Sequence, residues 1–182
     1  YFDKNIRNKP YDQKVIDTIT ETIDRYLARK GYMHAAITLK EQWQEDTQLL
    51  TLAFTIILGQ KYEFVCIGNH AIAREKLFEV LTEFGRSASL VPGDILAQEL
   101  ERFYHTQGYL DVSVRAQQNG GKVCFVIQEH KQCIVDDVVI MGVSSIDASV
   151  IKKMCKKIVQ HPYNEQYIQE TLDAISEKYV RD

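Results

Sequence analysis

One short sequence corner occurs twice in this chain. Arg29–Leu39 reads RKGYMHAAITL and Thr106–Ala116 reads TQGYLDVSVRA, so a Gly-Tyr pair follows a helical run and precedes an alternating run at two places, 77 residues apart. Self-similarity at a fixed period narrows the choice of fold more than composition can, because each repeat has to be one supersecondary unit stacked on its neighbours. Other anchors follow the same rhythm. An apolar run ends in a turn at CIGNHAI, around Gly68, and again at VIMGVSS, around Gly142, 74 residues later. A proline motif stands at Pro10 (KPYDQ), Pro92 (VPGDI) and Pro162 (HPYNE).

Each anchor has a physical reading. Two residues after each proline stands Asp12, Asp94 or Asn164, side chains suited to accept from the first free N–H groups of a helix. Apolar residues then recur three or four apart: Ile16, Ile19, Ile23 and Leu27; Leu96, Leu100 and Phe103; Ile168, Leu172, Ile175 and Tyr179. Each set is one stripe of an amphipathic helix and is read as core packing. Gly31 and Gly108 end two of these helices in the left-handed conformation, with Tyr32 and Tyr109 packed beneath the corner. The strands that leave are expected over His34–Lys40 and Asp111–Gln117. Ala35, Ile37, Leu39, Val112, Val114 and Ala116 take one face; His34, Ala36, Thr38, Lys40, Asp111, Ser113, Arg115 and Gln117 take the other. A second strand follows each, LLTLAFTIIL and KVCFVIQ, with Asn119-Gly120 marking a hairpin. Gly68-Asn69 and Gly142 each close a strand before a further helix. Ile72, Leu77, Val80 and Leu81 line one such helix, and Ser144 and Asp147 are spaced as a capping box for the other.

The unit is therefore strand, helix, helix, strand, strand, an α+β module. Residues 1–61 read as a partial repeat lacking its first strand, 62–131 as a complete repeat, and 132–182 as a repeat cut inside its second helix. The spacing from Pro10 to Gly31 places a third Gly-Tyr corner just past Asp182, so the chain reads as an excised piece of a longer one.

Several function classes fall away. With 22 basic and 25 acidic side chains well mixed and a net charge of −3, the chain lacks the basic stripe of a nucleic-acid surface. The most apolar run, Leu49–Gly59, is too short for a membrane helix. Cys66, Cys124, Cys133 and Cys155 form no CxxC or zinc spacing, and the first two read as small buried hydrophobes. His34, His70, His105, His130 and His161 are scattered, and no glycine-rich phosphate loop is present. No catalytic residue, metal ligand or cofactor site is expected, and the chain is not read as an enzyme.

The order of elements resembles the POTRA domain. The residues that carry the likeness are CIGNHAIAREKLFEVL, VPGDILAQELERFYHTQGYLDVSV and PYDQKVIDTITETIDRYLARKGYMHAAI. POTRA repeats form the periplasmic arm of the outer-membrane β-barrel assembly family, the BamA- and TamA-like proteins. The resemblance implies tandem modules, each a three-stranded mixed sheet with two helices on one face. It also implies a periplasmic location in a parent anchored by a C-terminal outer-membrane barrel. Its implied partners are unfolded outer-membrane protein precursors, accessory assembly lipoproteins and neighbouring repeats, with no nucleic acid. In that family the strand after the Gly-Tyr corner lies at the sheet edge, where an incoming strand can pair with it. Carried over, the binding edges are His34, Ala36, Thr38 and Lys40, and Asp111, Ser113, Arg115 and Gln117. Gly31, Tyr32, Gly68, Asn69, Gly108, Tyr109 and Gly142 are structural corners, and Trp43 is either an edge contact or half-buried. The third copy departs from the pattern, with Val143 where Asn69 stands in the second. The alternatives are a two-partner secretion transporter or a cell-division protein of the same domain type, and, from another class, a KH-like nucleic-acid module.

Overall fold

A computed structural model describes residues 11–87, 92–142 and 148–181. The best-formed part of the chain is its middle. There β3 (Glu63–Ile67), α2 (Arg74–Ser87), α3 (Gly93–Thr106), β4 (Ser113–Asn119) and β5 (Lys122–Gln128) follow in sequence. The sheet order is β3-β5-β4, with β3 parallel to β5 and β4 antiparallel to it. A parallel pair needs a crossover, and α2 and α3 supply it. Both helices lie on one face of the sheet. Leu77 and Leu81 of α2, Leu96, Leu100 and Tyr104 of α3, and Val123 and Phe125 of β5 lose essentially all contact with solvent. Phe64, Val112, Val114 and Ile127 complete this core, and Met33 enters it from the preceding segment. Burying one such aliphatic side chain is worth about 1.5–3 kcal/mol, so this cluster dominates the stability of the middle unit.

Before it stand α1 (Gln13–Arg29), β1 (Ala36–Gln44) and β2 (Leu49–Ile57). The two strands form an antiparallel hairpin, in register from Ala36 opposite Ile57 to Gln44 opposite Leu49. Asp12 caps α1, its carboxylate accepting from the Lys14 N–H at 2.9 Å. After the middle unit come α4 (Ala148–Met154), which tightens into a 3-10 turn over Cys155–Lys157, and α5 (Glu165–Arg181). Ile151 and Cys155 form a small core there with Val138, Ile140, Val150 and Ile175. Asn164 caps α5 through Oδ1, which accepts from the Tyr167 N–H at 3.2 Å.

Several expectations need correction. The strands begin later than the alternation suggests: His34 and Asp111 lie in the turns ahead of β1 and β4. Asp94 is not the cap of α3, because the helix already starts at Gly93. The Gly93 N–H is instead satisfied by Gln118 Oε1 at 2.7 Å, a side chain reaching back from β4. The hairpin that Asn119-Gly120 marks does form, with Gly120-Gly121 as its two-residue turn, since Asn119 pairs with Lys122. The expected strand ending at Gly142 does not form. Ile134 makes a single bridge to Pro162, and residues 135–142 have no ladder, because a strand exists only with a partner and none of the described residues provides one. Val138 and Ile140 are half-buried while Val139 and Met141 are exposed, so the segment alternates as a strand would although it has no ladder. The Ser144–Asp147 capping box lies outside the described residues.

Candidate protein-binding margins

The two Gly-Tyr corners are built alike, bond for bond. At the first, Gly31 N–H donates to Ala28 C=O at 2.8 Å and Tyr32 N–H to Leu27 C=O at 2.9 Å. At the second, Gly108 N–H donates to His105 C=O at 2.9 Å and Tyr109 N–H to Tyr104 C=O at 3.0 Å. Both are Schellman caps, which need a left-handed residue at the glycine position, and Gly31 and Gly108 have φ of +94° and +86°. Tyr109 supplies the apolar contact that accompanies the motif, meeting the Tyr104 ring edge-on with centroids 5.7 Å apart.

The corners also do something the sequence did not suggest. Each glycine carbonyl accepts from the chain that enters the next unit: Gly31 C=O from Tyr62 N–H, and Gly108 C=O from Cys133 N–H, both at 2.8 Å. The approach is so close that a Cβ on Gly31 would stand 2.2 Å from the Tyr62 carbonyl oxygen, and one on Gly108 2.9 Å from that of Cys133. The end of one unit is thus the seat for the start of the next. Further contacts support both joints. Arg86 Nη2 lies 2.7 Å from Asp24 Oδ2 between α2 and α1, and Asn164 Nδ2 donates to Thr106 C=O at 2.8 Å.

A buried carboxylate fastens the turn after β3. Glu129, directly after β5, is 9% exposed. Its Oε2 accepts from the His70 and Ala71 N–H groups at 2.9 Å each, and its Oε1 accepts from Tyr104 Oη at 2.7 Å. Burial by itself would raise this carboxyl, but the bonds from Tyr104 and from the backbone of Ala71, His70 and Ile72 outweigh it and hold it below the ordinary range. Burial and the same bond push the Tyr104 hydroxyl well above the ordinary tyrosine range. Asn69 keeps the turn closed by donating to Ile72 C=O at 3.1 Å, and Gly68 lies against the Ile127 carbonyl. Gly142 also has positive φ but stands in open space.

Among the described residues the β4 strand is paired on one side only, which makes it a margin of the sheet. In a hairpin closed by Asn119 and Lys122, the N–H and C=O groups of Ser113, Arg115, Gln117 and Asn119 point toward β5. Those of Val114, Ala116 and Gln118 point away. The Val114 N–H is already taken, donating to Glu101 Oε1 at 2.8 Å, which confirms the parity. Ala116 and Gln118 are the residues whose main chain stands open on this margin. The residues singled out from the sequence, Ser113, Arg115 and Gln117, present exposed or half-buried side chains on the face away from the helices but spend their backbone groups within the sheet. Periodicity shows which face a side chain takes, and only the hairpin closure shows which backbone groups are spent.

In the first unit Ala36, Thr38 and Lys40 are exposed and alternate with half-buried Ile37 and Leu39. Trp43, at 59%, is exposed. His34 sits at the joint instead, its Nε2 3.2 Å from Gly85 C=O and its ring edge-on to Tyr62. The other margin of the middle sheet, β3, is plugged once: Arg74 Nη2 donates to Phe64 C=O at 3.3 Å. Among the described residues no group of His, Cys, Asp and Glu could hold a metal, and no helix is long and apolar enough to cross a membrane.

The middle unit runs βααββ with its first strand parallel to its last and its second strand on the edge. Its architecture is POTRA-like. No protein-family model and no curated protein matches the chain. Among solved structures it is similar to the POTRA3-5 region of BamA from Haemophilus influenzae, at 15% identity over 96% of this chain and 78% of that one, TM-score 0.41. It is also similar to BamA from Haemophilus ducreyi lacking POTRA domains 1–3, at 18% identity over 65% of this chain and 23% of that one, TM-score 0.35. A third is the N-terminal domain of Omp85 from Thermosynechococcus elongatus, at 16% identity over 97% and 77%, TM-score 0.31. The POTRA-like architecture follows from the strand order and the helical crossover of the middle unit.

Proposed function

We propose that this chain is a periplasmic POTRA-type region of an outer-membrane β-barrel assembly protein and that it holds unfolded precursors or accessory partners by strand addition. The observation that supports this reading is the β4 margin. Ala116 and Gln118 offer main-chain groups to a visitor, on a strand locked behind by β5 and beneath by α3. Main-chain pairing is tolerant of sequence, which suits a binder of many extended clients.

The test is a proline at the right position. Ala116→Pro removes an outward N–H and should be accommodated on an edge strand, whereas Ser113→Pro removes an N–H that pairs with β5. A peptide with the alternating pattern of a barrel strand should bind the native chain and lose about tenfold or more in affinity for Ala116→Pro, with the thermal transition retained. Ser113→Pro should instead lower the transition. Undiminished peptide affinity for a folded Ala116→Pro chain would overturn strand addition at β4.

A further inference from the structure

At the first joint lies a cleft of about 480 Å³ between the C-terminal end of α1 and the β3 side of the middle unit. Five cationic side chains line it, Arg29, Lys30, Lys61, Arg74 and Lys122, against one carboxylate, Glu63. That is a concentrated positive surface in a chain whose net charge is −3. Three cations elsewhere in the middle unit are paired: Arg86 with Asp24 and Glu83, Arg102 with Glu99, Lys76 with Glu79. In the cleft only Lys122 has such a partner, Glu63 at a long 3.9 Å. Among the described residues Arg29, Lys30, Lys61 and Arg74 form no ion pair, although Glu79, held chiefly by Lys76, also feels the charge of Arg29.

Three of these cations are placed by aromatic rings instead. Arg74 lies 4.9 Å from the Phe78 centroid, Lys30 5.7 Å from that of Tyr26, and Lys61 6.0 Å from that of Tyr32. A ring orients a cation without cancelling its charge, so these groups are positioned and remain uncompensated. Phe64, Phe78 and Ala28 give the cleft apolar wall between the charges. We infer that this cleft is a docking site for a carboxylate-rich extended segment of a partner protein, with apolar residues between its acidic ones. Complementary charge selects the partner and speeds its arrival, and the apolar wall favours a peptide over a bare anion.

The site is separate from the β4 margin, so the two can be tested apart. A short fluorescent peptide alternating Glu and Val is titrated by anisotropy into the 182-residue chain, beside its Gln–Val counterpart. The acidic peptide should bind about tenfold more tightly, weaken as salt is raised, and lose that advantage in Lys30→Glu/Lys61→Glu. Lys30→Gln/Lys61→Gln, which removes the charge without reversing it, should give an intermediate loss. Ala116→Pro should leave the binding unchanged. Equal affinity for the two peptides, or full affinity in the folded charge-reversed chain, overturns the inference. So does saturation of the cleft by inorganic phosphate or anionic vesicles with no preference for the acidic peptide.

Discussion

Removing the Glu129 carboxylate should cost this chain about 2–5 kcal/mol, although the residue stands just past β5 in the polar stretch Glu129-His130-Lys131. The figure comes from three donors. Tyr104 is wholly buried, so in Glu129→Ala its hydroxyl loses its acceptor without regaining water, at about 1–3 kcal/mol. The His70 and Ala71 N–H groups belong to exposed residues and can rehydrate, so each should cost no more than about 0.5–1 kcal/mol. Glu129→Gln keeps one acceptor oxygen and should lose about half as much. The pH dependence gives a second reading. This carboxyl is held below its unfolded value, so its contribution is complete above about pH 5 and is lost as the pH falls through the lowered folded value. Urea unfolding at neutral and at acid pH measures both effects. The native chain should lose stability on acidification more steeply than Glu129→Gln. A neutral-pH loss under about 0.5 kcal/mol for Glu129→Ala, or equal acid slopes for the native and Gln chains, would refute the latch.

Gly31→Ala should destabilise the chain by more than about 2 kcal/mol, because a Cβ there meets both a left-handed φ and the Tyr62 carbonyl. Gly120→Ala, with positive φ but open space, should cost only about 1 kcal/mol; thermal melts compare the two, and equal losses would show that the close approach is immaterial. Gly31→Ala should also make the Gly59–Lys61 connection more sensitive to limited proteolysis, since its anchoring bond to Tyr62 is displaced. Leu100→Ala, at a site with no solvent contact, should cost about 2–5 kcal/mol in urea unfolding by emptying the centre of the middle core.

How far the sequence reveals this molecule depends on the range of each interaction. The first two helix stripes were legible because their period is local: Ile16 and Ile19, and Leu96 and Leu100, are buried as their spacing implies, whereas Leu172 and Tyr179 of the third stripe, also read as core, are exposed. The Gly-Tyr corners were legible because a left-handed cap is a property of five or six consecutive residues. Where a distant residue intervenes, local reading fails. Asp94 looks like the cap of α3 and is displaced by Gln118, which arrives from the next hairpin. Glu129 cannot be told from a solvated loop carboxylate until Tyr104 and the turn after β3 converge on it. The edge residues show a subtler failure. Alternation correctly separates exposed Arg115 from buried Val114, yet the groups open for pairing belong to Ala116 and Gln118, between the side chains that alternation singles out. The cleft at the first joint was invisible for the same reason, since Arg29, Lys61, Arg74 and Lys122 come from four separate stretches.

The repeated glycine seat has a consequence for how successive units are joined. Because the carbonyl that terminates one module also grips the incoming peptide of its successor, the backbone itself hands the chain from unit to unit, with Arg86–Asp24 and Asn164–Thr106 as side-chain struts beside it. Surfaces away from the joints can then diversify while the seat is kept, and one methyl group at a seat would press on the neighbouring carbonyl and displace the chain that enters there.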